Sequence, residues 1–202
     1  MRNRTRTFTL AGVLAGALVL TACGGSDDPT VAGGDNGSTS AQQAQVNDAD
    51  VDFASGMVPH HEQAVEMADM ILDKDPSEPV RALAERIKAA QEPEIEELNS
   101  LLETFGEEPA DGGHGGHGGG SDAGGHGGMM SDEQMQELQD ASGVEAERMF
   151  LTMMIEHHQG AIEAAETVIA KGESQPTIEL ATRIRDDQRA EIAEMEQLLS
   201  QL

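Results

Sequence analysis

Apolar positions recur at helical spacing in four long stretches of this chain. Between residues 50 and 72, Phe53, Met57, His60, His61, Ala64, Ala68 and Ile71 fall on one stripe, because positions i, i+3, i+4 and i+7 share a helix face. From Pro79 to about Phe105 the stripe is Leu83, Ala84, Ile87, Gln91, Glu94, Leu98, Leu101 and Leu102. A third stretch, from Met130 to about Ala170 with a break expected near Ser142-Gly143, carries Phe150, Met154, His157, His158, Ala161, Ala165 and Val168. The last runs from Pro176 to the end of the chain. Turns are expected at Lys74 to Pro79 and at Lys171 to Pro176, with each proline well placed in the first turn of the helix that follows. Pro93, inside the second stretch, is expected to kink it.

The stripes repeat. Segment 52–105 maps onto 149–202 at a constant offset of 97 residues without a gap, pairing Phe53 with Phe150, Met57 with Met154, His60 with His157 and His61 with His158. The pairing continues through Leu83/Leu180, Ile87/Ile184, Gln91/Gln188, Glu94/Glu191 and Leu102/Leu199. Each copy reads as a helical hairpin. Two such hairpins burying their stripes against each other make an all-α four-helix bundle with an approximate two-fold axis, spanning residues 48–202.

The flanking segments have another character. Residues 1–22 carry three arginines, an apolar run too short to span a bilayer, and then Leu20-Thr21-Ala22-Cys23. The order matches a bacterial lipoprotein signal peptide, with Cys23 as the lipidated first residue of the mature chain. Acyl chains on Cys23 would anchor the protein to the outer face of the cell membrane, on a flexible tether of residues 23–47. Residues 107–128 are a glycine- and histidine-rich linker, whose His114, His117 and His126 are candidates for weak auxiliary metal binding. Removal of the leader takes the formal charge from −26 to −29. A surface this acidic lacks the basic footprint of a nucleic-acid binder and concentrates cations.

Chemistry concentrates where the stripes turn polar. Gln91, Glu94, Gln188 and Glu191 lie about as far after their turns as the histidines lie before them, and antiparallel helices advance equally per residue. They are expected at the level of the four histidines, where Gln or Glu would accept from a ring nitrogen that does not face a metal. The alternative is that the two glutamates rotate outward into surface ion pairs. Bundles that carry two irons use Glu-x-x-His, whereas here the residue three before the first histidine is methionine in both copies. A thioether suits Cu⁺ and imidazole suits both copper states and zinc, so copper is favoured, Cu⁺ first, with Cu²⁺ or zinc as alternatives. Methionine also commonly fills gaps in a core, but Met67, Met70, Met149 and Met153 add to the density of thioethers nearby.

The stretch from Phe53 through Met57-Val58-Pro59-His60-His61 to Ala68, and its counterpart from Met154 to Ala165, resemble the signature of the ferritin-like family known as domain of unknown function 305. The resemblance covers about residues 48–202 and implies an extracytoplasmic four-helix bundle, in a family that includes a copper-binding protein linked to copper resistance. It implies Met57, His60, His61, Met154, His157 and His158 as ligands. The second copy departs from the first at Ala164 and Thr167, which stand where the first has Met67 and Met70. The reading that follows is a non-enzymatic lipoprotein that sequesters or delivers copper. A copper-dependent oxidase and a structural or partner-binding bundle are the alternatives, and no separate acid/base constellation marks an enzyme.

Overall fold

The computed structural model describes residues 45–109 and 127–202. Cys23, His114, His117 and His126, with the expected leader and tether up to residue 44, lie outside them. Among the described residues there are five helices and no strand. They are α1 (Asp48–Leu72), α2 (Glu78–Phe105), α3 (Asp132–Asp140), α4 (Gly143–Lys171) and α5 (Gln175–Leu199). The expected break near Ser142-Gly143 separates α3 from α4, and α2 runs through Pro93 without interruption.

The hairpins α1–α2 and α4–α5 pack together through an extensive α1/α4 contact and a lighter α2/α5 contact. Every residue of the α1 and α4 stripes is buried, as is that of α2 except Glu94, which is partly buried. The apolar core divides into two clusters. One gathers Ala64, Met67, Ile71, Leu83, Ile87, Phe150 and Met154, and α3 adds Met135 and Leu138 to it. The other gathers Phe53, Met57, Leu98, Leu102, Ala161, Val168, Leu180 and Ile184. Each cluster joins the start of one long inner helix to the end of the other, as antiparallel packing of α1 and α4 requires. Between them lies a band of polar residues.

The two-fold relation extends beyond the apolar stripes. Asp50, in the first turn of α1, reaches the turn between α4 and α5, where its Oδ2 accepts from the backbone N–H groups of Glu173 (2.9 Å) and Ser174 (3.1 Å) and, locally, from Asn47 (3.0 Å). Its counterpart at the 97-residue offset, Glu147, accepts from the N–H of Ser77 (2.8 Å) and the Ser77 hydroxyl (2.7 Å) in the turn between α1 and α2. Each hairpin is thus stapled to the other by a buried carboxylate on turn donors that helix geometry leaves without partners. The outer helices repeat the relation at the surface, where Arg86 pairs with Glu194 and Arg183 with Glu97. These half-exposed pairs contribute little, ~0–1 kcal/mol each.

Candidate metal centre

The polar band is built from both hairpins at one level. His60 and His61 enter it from α1 and His157 and His158 from α4, all with 0% exposure. The His60 and His157 rings face each other across the α1/α4 seam, with centroids 3.7 Å apart and planes at 38°. The outer pair is held from behind. His61 Nε2 lies 2.9 Å from Glu94 Oε2, and His158 Nε2 lies 2.7 Å from Glu191 Oε2, as the two-fold relation demands. Of the two expectations for these glutamates, the inward one holds. With the carboxylate ionised, Nε2–H donates to it, which fixes the tautomer and leaves the lone pair on Nδ1.

Gln91 and Gln188 sit at the same level and are buried, but their amide nitrogen and oxygen atoms bond to nothing among the described residues. Nδ1 of His158 likewise finds no partner, and the nitrogens of His157 have at most a weak contact with the His60 backbone. A buried polar group without a partner costs about 1–3 kcal/mol. So many in one layer are poorly explained by packing.

Electrostatics follow from burial. The His157 imidazole titrates well below its ordinary range, first because it is desolvated and next because charge on it would face His60, His158 and His61; the His60 backbone pulls weakly the other way. It is therefore a neutral ring with lone-pair capacity at neutral pH. Burial also raises the Glu94 carboxyl to about 7, helped by the like charges of Asp187 and Glu191 and opposed by Arg183. Glu94 and Glu191 mark the wetter side of the layer, each side chain 16% exposed. A crevice of about 510 Å³ between α2 and α5 reaches Glu191 there, and is also lined by Arg86, Ala90, Asp187 and Glu194.

Met57 and Met154 are fully buried, but they do not lie side by side. Met57 belongs to one apolar cluster and Met154 to the other, so the thioethers flank the histidine layer from opposite sides. Met67, Met70, Met149 and Met153 all pack on the Met154 side. Among the described residues, no three His, Asp or Glu side chains form a ready cluster around a metal ion. A metal in this layer would therefore draw on thioethers as well as imidazoles, or would turn the rings to receive it. The donor set fits a soft metal, because it offers neutral imidazole and thioether in an apolar surround, with carboxylates set behind the rings.

The sequence reading missed a group that touches the layer. Gly127 and Gly128, assigned by composition to the linker, pack on the α1/α4 seam, and the Gly127 carbonyl accepts from His60 Nε2 at 3.2 Å. The linker expectation is corrected at that end. One signal was Gly160, a glycine inside a helix, which costs roughly 1 kcal/mol against alanine and so marks a close approach.

The chain belongs to the DUF305 family, whose model, "Domain of unknown function (DUF305)", matches residues 50–199. A solved DUF305 fragment from Deinococcus radiodurans superposes with a TM-score of 0.65 at 28% identity, covering 78% of this chain and 99% of that one. A DUF305 protein from Streptomyces coelicolor, proposed to be secreted, gives 0.67 at 30% identity, covering 76% and 93%. CopM, solved in a Cu(I)-bound form, gives 0.61 at 28% identity, covering 75% and 96%. It has also been solved in Cu(II)-bound and silver-bound forms. A 54-residue stretch is 35% identical to an uncharacterized protein of Acanthamoeba polyphaga mimivirus, and the match spans only 36% of that curated relative's length.

Proposed function

We propose that this DUF305 protein binds copper in the layer formed by His60, His61, His157 and His158 with Met57 and Met154, and that it holds or hands on the ion outside the cytoplasm. The observation that carries the reading is the layer itself: four fully buried imidazoles between two apolar clusters, with a thioether on either side. A purely structural bundle has no use for that arrangement, since apolar residues of the same volume would fill it at lower cost. CopM, which shares this architecture and binds Cu(I), Cu(II) and silver, supports the choice of metal.

The residues divide the work. His157 offers a neutral ring, while Glu94 and Glu191 orient the rings of His61 and His158. Thioethers favour the reduced ion, so Cu⁺ is the preferred cargo. The acidic surface raises the local cation concentration. An anchor at Cys23 would keep the domain at the outer face of the membrane. Among the described residues no helix is long and apolar enough to cross a bilayer.

Replacing Met57 and Met154 together by leucine tests the ligand assignment. Leucine keeps the apolar volume roughly constant, so stability should fall by less than about 1.5 kcal/mol per site. Competition with a Cu⁺ chelator under anaerobic conditions should show weaker Cu⁺ binding by roughly tenfold or more, with Cu²⁺ binding in air much less affected. Unchanged Cu⁺ affinity would return both methionines to the core.

A further inference from the structure

The α1/α4 seam above the histidine layer is crossed by Gly127-Gly128-Met129-Met130, which leads from the glycine-rich segment into α3. This short stretch is fastened at its α3 end, where the Met130 side chain is buried in the first apolar cluster and Gln63 grips the Met130 backbone. Gln63 Nε2 donates to the Met130 carbonyl at 2.9 Å, and the Met130 N–H donates back to Gln63 Oε1 at 2.7 Å. Gly128 adopts a φ of +88°, and a Cβ there would come within 2.7 Å of the Glu156 carbonyl oxygen. Beneath it, a Cβ on Gly160 would lie 1.6 Å from the Gly127 oxygen, so only glycine leaves room for the stretch to lie down.

Gln63 and Gly160 occupy the same place in the two copies, 97 residues apart. Around them the histidines, glutamines and glutamates of the layer match in pairs. At this position the copies differ in the way the crossing requires: one supplies a side chain that grips the strand, and the other supplies a hydrogen over which it passes. The crossing also breaks the two-fold symmetry of the site. His60 Nε2–H donates to the Gly127 carbonyl, whereas Nε2 of its counterpart His157 has no such carbonyl over it.

Building on the copper reading above, we infer that Gly127–Met130 is a releasable strap that competes with the metal for His60 Nε2, with Gln63 as its latch and Gly160 as its seat. While Nε2–H donates to the Gly127 carbonyl, that nitrogen has no lone pair to offer. For Nε2 to offer its lone pair to an ion, its proton would have to pass to Nδ1 or to solvent, and the Gly127 carbonyl, left without its donor, would be free to lift off the seam. The latch consists of two neutral hydrogen bonds to backbone, weak enough for metal binding to break, while the Met130 side chain stays buried in the apolar cluster as the hinge about which the glycines lift. The crevice between α2 and α5 is the competing way in, and it leaves the strap in place.

The test combines amide hydrogen exchange with silver loading of the full chain, Ag⁺ serving as a soft ion that does not change oxidation state. In the metal-free protein the Met130 amide should be protected by Gln63, and saturating Ag⁺ should speed its exchange roughly tenfold or more, the scale of one or two net hydrogen bonds. Gln63→Ala should show the fast exchange without metal and should take up Ag⁺ roughly tenfold faster in stopped-flow mixing, as should Gly160→Ala if it folds. A Met130 amide that stays protected in the loaded protein overturns the strap, as does an unchanged uptake rate in Gln63→Ala, which would direct the ion through the α2/α5 crevice. Equal Ag⁺ binding by His157→Leu and wild type would overturn the copper reading itself, whatever the strap does.

Discussion

His157→Leu should fold more stably than wild type in the absence of metal, by about 1–2 kcal/mol, and should bind copper on the order of 100-fold more weakly. His157 is fully buried, and its ring nitrogens have at most a weak contact with the His60 backbone. Replacing an unsatisfied buried polar group by an apolar one of similar size removes the desolvation cost, and imperfect fit against His60 returns part of that gain. The gain should depend on pH. Because the folded-state pKa of His157 is depressed, the unfolded chain binds more protons below about 6.5, and wild type loses stability as pH falls through that range. The leucine variant has no such loss, so its advantage should grow as the pH is lowered. Urea unfolding at several pH values measures both effects. A leucine variant less stable than wild type at every pH would show that the ring is kept for packing, not for a ligand.

The largest loss of stability should come from the two carboxylate staples. Asp50→Ala removes the acceptor of three backbone donors, and Glu147→Ala removes that of a backbone and a hydroxyl donor. Costs of about 2–4 and 1–3 kcal/mol are expected, nearly additive in the double variant because the staples lie at opposite ends of the bundle. Copper affinity should change little in either single variant, since neither carboxylate touches the histidine layer. Unfolding midpoints of the four proteins decide the matter, and a loss below about 0.5 kcal/mol for Asp50→Ala would mean that water satisfies those turns as well as the carboxylate does.

Most of the bundle was legible because duplication writes each stripe twice. Phe53 to Ile71 and Phe150 to Val168 read as inner faces, and all their stripe positions are buried. The level of Glu94 against His61 followed from helix rise alone, and the contact is there. Gln91, expected as an equivalent partner, makes no hydrogen bond with a histidine; it is Glu94 that meets His61 Nε2. Periodicity did not reveal Asp50 and Glu147. They are not identical, they stand just outside the identity run, and a lone acid in a first turn normally reads as a partner for the helix dipole. The strap was hidden by its glycines, since a glycine-rich stretch reads as linker until something is found that needs it close. Nor does spacing along one helix tell on which side of the layer a thioether falls, which is why Met57 and Met154 emerged on opposite sides.

Copper K-edge X-ray absorption on the Cu⁺-loaded full chain tests the central claim most directly. It should be made with His114→Gln, His117→Gln and His126→Gln in place, so that the remaining imidazoles are those of the bundle. The account predicts that this protein still retains Cu⁺ and that its spectrum contains both sulfur and imidazole nitrogen around the metal. Retention with nitrogen and oxygen alone, or loss of the copper along with those three histidines, would contradict it.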